Sequence, residues 1–171
     1  MQKDATDQDY LDEIHRSFRT HFDDDLPENL VVPSSKARWI DPSEISNPAR
    51  IGPMLDLPTR SFDLSLQEIP QGSATDLQRH AHEAVHYVLS GSGYSEIGGC
   101  KLYWNDGDFI YTPVWVWHRH YNTGTAAARL LIVESAKLLA TLGLHQRQSA
   151  GNVSYADHLR FAANKPCQVT P

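Results

Sequence analysis

From residue 61 onward the chain alternates short apolar segments with turn residues, and this pattern restricts the fold more than any other feature. Phe62, Leu64 and Leu66 alternate with polar residues, which is the two-residue period of a half-buried strand. Glycine, asparagine and aspartate separate the segments that follow. Eight strands are predicted, at residues 61–67, 76–82, 84–90, 94–97, 101–104, 108–112, 115–121 and 128–135. Strands this short and evenly spaced predict an all-β fold, a closed antiparallel barrel or jelly roll.

Helical spacing is found on either side of this region. Apolar residues predict one amphipathic helix at Tyr10–Phe22, and six prolines in residues 26–60 predict an extended arm. Helical spacing returns at Ala136–Leu144 and again at Tyr155–Ala162. We therefore expect an N-terminal helix and arm packing on the barrel (1–60), the barrel itself (61–135), and a C-terminal helical segment with a tail (136–171).

The charge of the chain limits its partners. With 171 residues and a net charge of −6, we expect one domain that binds neither nucleic acid nor an anionic membrane. The first residues lack the apolar centre of a signal peptide, and the two cysteines form no disulfide framework. A cytoplasmic location is expected.

Five of the nine histidines lie between residues 80 and 120. Residues two apart in a strand share a face, so His80 and His82 should point the same way, as should His118 and His120. Two such strands in one sheet would bring three or more imidazoles together, which suits a divalent transition metal. An H-x-H pair is a modest signal by itself, but a third histidine in a later strand makes a metal site more specific.

The two histidine segments resemble the motifs of the cupin superfamily. The second motif, G-x5-P-x-G-x2-H-x3-N, matches Gly107, Pro113, His118 and Asn122, with Trp115 where the family prefers glycine. In the first motif, G-x5-H-x-H-x3/4-E-x6-G, the H-x-H pair falls on His80 and His82. The resemblance implies a cupin double-stranded β-helix, which is a jelly-roll barrel, holding one metal ion through His80, His82 and His118.

The first motif departs from the family pattern at its glutamate. Counting from His82 places His86 at that position, and counting back from the following glycines places Ala84 there. Neither alignment provides a carboxylate. Glu83 or His86 could be a fourth ligand, and His86 could instead contact substrate or be a buried structural histidine.

Three histidines without the motif glutamate are similar to the site of gentisate-type ring-cleaving dioxygenases, which also carry tryptophans beside a ligand histidine, as in Thr112–His120. This resemblance implies an Fe(II)-dependent dioxygenase that uses O2 to cleave a small aromatic diol or hydroxy-acid, or a β-dicarbonyl compound. His120 would be its acid or base, with His86 as a second catalytic candidate. Two alternatives stay open: a non-redox isomerase, lyase or cyclase with Zn, Mn or Ni, and a non-catalytic subunit that binds a small molecule.

The segment Ala84–Ser90 is apolar on both faces. Val85, Tyr87 and Leu89 alternate with the residues of the histidine face. If the histidine face lies inside the barrel, the N-terminal arm, the helices or a second subunit must cover the other face. A homodimer is predicted.

Overall fold

The structure, a computed structural model, describes residues 11–12, 14–15 and 26–159. Two antiparallel five-stranded sheets contain the strands of this part of the chain. In spatial order, the first sheet consists of β1 (Arg50–Pro53), β2 (Asp63–Ile69), β9 (Ala128–Glu134), β4 (Ala84–Ser90) and β7 (Phe109–Thr112). The second consists of β10 (Arg147–Gly151), β3 (Leu77–His80), β8 (His118–Asn122), β5 (Gly93–Ile97) and β6 (Cys100–Trp104). All eight predicted strands are present.

Two further strands, β1 and β10, were not predicted. In β1 the sequence Arg-Ile-Gly-Pro contains two residues that are uncommon in strands. In β10 the side chains are mostly exposed, so no alternation of apolar and polar residues marks the strand. Both lie at sheet edges, where pairing with one neighbour is enough to hold a strand in place.

The start of β8 differs from its prediction. The sequence predicted a strand from Trp115, but β8 begins at His118. Trp115 has a φ of 59°, in the left-handed region that favours glycine and does not continue a strand. Its backbone nitrogen donates a 2.7 Å hydrogen bond to the oxygen of His80. Trp115 therefore adopts the left-handed conformation that would explain why the cupin motif prefers glycine at this position.

Helices are short in the described chain. They comprise a 3-10 helix at Ser34–Lys36 and α-helices at Pro42–Ile45, Ala136–Thr141 and Tyr155–Leu159. The predicted helix Tyr10–Phe22 lies largely outside the described residues, although residues 11, 12, 14 and 15 are helical. No helix in the described residues has the length and hydropathy to span a bilayer.

The inward faces of the two sheets carry two kinds of side chain. Apolar residues pack into one core, which includes Ile69, Val88, Trp104 and Leu130. Buried polar residues occupy other inward positions and include all five histidines between residues 80 and 120. Because imidazoles are costly to bury without a partner, this concentration of histidines makes the barrel interior the candidate functional site.

Candidate metal centre

His80 and His82 lie together at the end of β3. His80 is the last residue of the strand, and His82 follows it in a bend. Their rings stack with centroids 3.8 Å apart, and Nδ1 of His80 is 2.8 Å from the backbone oxygen of His82. The backbone holds this bend in place, since the nitrogen of Ala81 donates to the oxygen of Gln146 at 2.9 Å.

Glu134, the last residue of β9, lies beside this pair. Its Oε1 is 3.5 Å from Nε2 of His82. One ligand atom from each of His80, His82 and Glu134 lies within 4.8 Å of the others. Glu134 was not predicted from the sequence. The available signal was its place on the inward face of β9, where it continues the buried series of Ala128, Leu130 and Ile132.

His118 lies next to His80 on β8. The two ring centroids are 4.7 Å apart in an edge-on arrangement, and Nδ1 of His118 is 2.9 Å from the backbone oxygen of Val116. His118 is fully buried. The structure therefore brings His118 to His80, whereas the compact three-residue cluster among the described residues contains Glu134 in place of His118.

His86 and His120 form a second pair deeper in the barrel. Their ring centroids are 4.4 Å apart, and the ring of His120 is 5.8 Å from that of His118. Nδ1 of His120 is 2.7 Å from Oγ of Ser95, which also accepts a hydrogen bond from Nε1 of Trp104 at 3.0 Å. Nε2 of His86 is 3.4 Å from Oγ1 of Thr112.

Burial keeps these imidazoles neutral. Removal from water, followed by the charge that neighbouring histidines can carry, lowers the pKa of His80 to about 4 and the pKa of His86 to about 3. The same causes hold the pKa values of His118 and His120 well below the usual range. A metal ion requires neutral imidazole, so all four are in the ligating form at pH 7.

Glu134 is charged under the same conditions. Burial alone would raise the pKa of its carboxyl group, but the nearby His82 outweighs this effect and lowers the pKa below its ordinary value. The side chain of Glu134 is 26% exposed, compared with 3% for His82. The site therefore combines a carboxylate with neutral imidazoles.

The hydrogen bonding of the buried ring nitrogens fits a metal ion. Among the described residues, the buried imidazole nitrogens that lack a hydrogen-bond partner are both nitrogens of His82, Nε2 of His118, Nε2 of His120 and Nδ1 of His86. Nδ2 of Asn47 and Nε of Arg119 also lack one. Buried polar atoms are nearly always bonded, and a group of exceptions calls for an explanation. Imidazole nitrogens beside a carboxylate are a common donor set for divalent transition metals, and an ion would complete their bonding.

A cavity of about 210 Å³ opens onto the centre. His80, His82, His86 and Glu134 line it, together with Ile40, Ile45, Ile51, Ser65, Gln67, Gln78, Ile132, Ala136, His145 and Arg147. His145 stacks on His82 with ring centroids 5.3 Å apart. The sequence did not suggest His145, because nothing in its local pattern places it near the barrel mouth.

Glu83 lies on the other side of the sheet. Its side chain is exposed, and its Oε1 accepts a 2.7 Å hydrogen bond from the hydroxyl group of Tyr111. The alternation along β4 explains this position, since Val85 is also exposed whereas Ala84 and His86 are buried. Glu83 is therefore a surface residue in this arrangement and points away from the imidazoles.

Comparison with known proteins supports the resemblance to cupins that the histidine motifs indicated. Residues 65–134 match the Cupin domain family. The chain is 32% identical over 104 residues to 5-aminosalicylate 1,2-dioxygenase from Comamonas sp., covering 61% of this chain and 26% of that protein. It is 35% identical over 65 residues to gentisate 1,2-dioxygenase 1 from Aquipseudomonas alcaligenes, covering 37% and 19%. The chain thus spans about a quarter or less of the length of these curated relatives.

Solved structures give the same fold. Salicylate 1,2-dioxygenase from Pseudoaminobacter salicylatoxidans, solved as adducts with gentisate, superposes with a TM-score of 0.56 at 15% identity, over 61% of this chain and 30% of that one. A predicted oxalate decarboxylase from Thermotoga maritima superposes with a TM-score of 0.52 at 20% identity, over 62% and 98%. At these identities the likeness shows the fold alone.

Proposed function

We propose that the protein is a metal-dependent dioxygenase, and the match of residues 65–134 to the Cupin domain family supports this proposal. Its metal is Fe(II), and its substrate is a small aromatic diol or hydroxy-acid, or a β-dicarbonyl compound. The observation that carries the proposal is the convergence of His80 and His82, both buried and close to a carboxylate, at the wall of a cavity. The names of the related ring-cleaving dioxygenases support this chemistry over the other reactions that a cupin can host.

The proposed ligands of the metal are His80, His82 and His118, as the histidine motifs predict. When bound, Fe(II) would supply open coordination positions and the electrons that O2 chemistry requires. His80 and His118 each direct Nδ1 at a backbone carbonyl oxygen. Because a carbonyl oxygen only accepts, Nδ1 carries the proton in both rings, and Nε2 keeps the lone pair that a ligand needs.

The cavity suits a single substituted ring. Benzene occupies a cavity of about 150 Å³, so a volume of about 210 Å³ accommodates one ring with small substituents. Ile40, Ile45, Ile51 and Ile132 give the cavity an apolar wall for the ring carbons. Gln78 and Arg147, which hydrogen-bond each other, also line the cavity and give it polar groups for the oxygen substituents.

We assign the second histidine pair to substrate positioning. His86 lines the cavity and can hydrogen-bond a substrate oxygen through Nδ1. His120 lies behind it and, in the described part of the chain, does not line this cavity. The acid or base role that the sequence suggested for His120 would therefore act through His86, with Ser95 fixing the orientation of the His120 ring.

We also propose that the protein is a homodimer. The outward face of the first sheet exposes Val85, Leu89, Phe109, Tyr111 and Val133, with Phe109 72% exposed. These side chains lie on the adjacent strands β4, β7 and β9. A continuous apolar face of this kind is typical of an interface in a soluble protein.

The function is tested by metal analysis followed by oxygen uptake. Protein purified without chelator should contain about one iron per chain after anaerobic loading with Fe(II). It should consume O2 with a member of a panel containing gentisate, salicylate, aminosalicylate, catechols and β-diketones. A His82→Ala variant should lose both iron and oxygen uptake. His158→Ala is the matched control, because His158 packs against Trp117 rather than in the cavity.

Two other outcomes would contradict the proposed dioxygenase activity. Zinc, manganese or nickel bound at one per chain, with no oxygen uptake on any panel member, would support a non-redox cupin enzyme. Binding of panel compounds without turnover of any of them in the iron-loaded protein would support a binding subunit.

A further inference from the structure

The first cupin motif lacks its glutamate in this chain, and the structure shows what surrounds that position. Ala84, one of the two residues that align with the glutamate, is the first residue of β4 and is 1% exposed. Its methyl group points inward, since it alternates with the exposed Val85. Alanine has no donor atom in its side chain, so Ala84 cannot be a metal ligand.

A carboxylate is present directly across the sheet. In the antiparallel pairing of β4 with β9, Ala84 is the register partner of Glu134. Directly paired residues point to the same face, with Cβ atoms about 4.5–5.5 Å apart. The side chain of Glu134 therefore starts on the strand next to the motif position at Ala84. It enters the same space inside the barrel as a glutamate at Ala84 would.

The contacts of Glu134 agree with this role. Its Oε1 approaches Nε2 of His82 to 3.5 Å, which is longer than the 2.7–2.9 Å or so that a charged hydrogen bond adopts. Within residues 26–159, His82 has no hydrogen bond at either ring nitrogen. This separation is close to that of two donors that share one metal ion at about 2.0–2.2 Å each.

We propose that Glu134 is the carboxylate ligand of the metal and that it replaces, from the neighbouring strand, the glutamate that the first motif has lost at Ala84. This inference rests on the proposed function only in requiring that a metal binds at His80 and His82. It alters the charge of the site. A carboxylate ligand lowers the net charge of a divalent centre from about +2 to about +1, relative to a site made only of neutral histidines.

The experiment measures metal affinity rather than turnover. Purified wild-type protein, Glu134→Gln and Glu83→Gln are titrated with Fe(II) under anaerobic conditions and with Co(II), in competition with a chelator of known affinity. Glu134→Gln should weaken binding by at least about 10-fold, the lower limit seen for groups that only support a ligand. Glu83→Gln is the matched control and should bind like wild type, because its carboxylate faces Tyr111 on the outside of the sheet.

A strand exchange then tests the geometry. The double variant Ala84→Glu with Glu134→Ala returns the carboxylate to the motif position while keeping the total side-chain volume nearly constant. It should recover most of the affinity that Glu134→Gln loses. If Glu134→Gln does not fold, Glu134→Ala serves as the baseline: tighter metal binding by the double variant than by Glu134→Ala supports the proposal, and equal binding by the two overturns it.

The other results separate this inference from the proposed function. If Glu134→Gln binds metal like wild type while His82→Ala does not, Glu134 is no ligand and the histidine site stands without it. If His82→Ala also binds like wild type, both the inference and the proposed metal centre are wrong.

Discussion

Nδ1 of His80 lies 2.8 Å from the backbone oxygen of His82, so the main chain of one proposed ligand orients the ring of the other. The carbonyl group fixes the proton on Nδ1 and leaves Nε2 as the nitrogen with the lone pair. His118 is held in the same manner by the oxygen of Val116 at 2.9 Å. Two rings that come from different strands are thus prepared for a ligand before any ligand binds.

The role of His118 can be separated from that of its neighbours. His118→Ala should weaken metal binding by at least about 10-fold, because it removes a prepared Nε2 beside His80. His145→Ala is the control, since His145 stacks on His82 without belonging to the three-residue cluster, and it should change the affinity only slightly. Affinity is measured by chelator competition. Unchanged metal binding in folded His118→Ala would show that the ligand set excludes this residue.

The stability of the metal-free protein should depend on pH. His80 and His86 have folded pKa values of about 4 and about 3, whereas the unfolded values are near 6.5. Between these values the unfolded chain binds protons that the folded chain does not, so lowering the pH through this window lowers the free energy of unfolding. Above about pH 6.5 both states are neutral at these positions and the dependence disappears.

Urea unfolding at several pH values measures this effect. Each buried histidine should contribute up to about 1.4 kcal/mol of lost stability per pH unit below the unfolded pKa. Replacing His86 with methionine should reduce the slope by about one proton. A slope in His86→Met equal to that of wild type would mean that His86 titrates normally in the folded protein.

Ser95 supports the deeper histidine pair. Its fully buried Oγ is 2.7 Å from Nδ1 of His120 and accepts a hydrogen bond from Trp104 at 3.0 Å. Ser95→Ala leaves both buried groups without this partner, which should lower the free energy of unfolding by about 1–3 kcal/mol. Chemical denaturation measures the change. Thr141→Ala, which removes an exposed hydrogen bond to the backbone oxygen of Lys137, should cost much less, and equal losses in the two variants would contradict the role of Ser95.

If the protein is a homodimer, a substitution in its apolar surface should reduce the mass of the assembly from that of a dimer to that of a monomer. Wild-type protein should sediment as a dimer at micromolar concentration, and Phe109→Glu should sediment as a monomer, because it places a charge in the apolar face of the first sheet. Leu142→Glu is the control, since Leu142 is 59% exposed and follows the helix Ala136–Thr141 rather than lying in that sheet. A monomeric wild-type protein would refute the dimer.

Much of the barrel could be predicted from local pattern. The predicted bounds of Ala84–Ser90 agree with β4, and the turn residues at 91–93 mark its end although both of its faces are apolar in sequence. The strand at Trp115 was placed three residues too early, because a tryptophan gives no sign of the positive φ that it adopts. The edge strand β10 was missed, because its mostly exposed residues have no apolar period to read.

The histidines of the proposed metal centre were identified from the same kind of local signal. His80 and His82 are two residues apart, so their proximity follows from a short piece of chain, and His118 was found because its surroundings match a known motif. Glu134 has neither signal. It is a glutamate at the end of an apolar strand, and only its parity with Leu130 and Ile132 indicated that it faces inward.

The sequence by itself determined that this chain would form a two-sheet barrel with imidazoles in its interior, since strand periodicity and the spacing of histidines are local properties. The tertiary structure alone decided which carboxylate joins them. Ala84 and Glu134 are far apart in the chain, and they meet because β4 and β9 pair in one register among several that their apolar patterns would allow. That register depends on the packing of the whole barrel, so the identity of the residue opposite Ala84 could not be read from either strand alone.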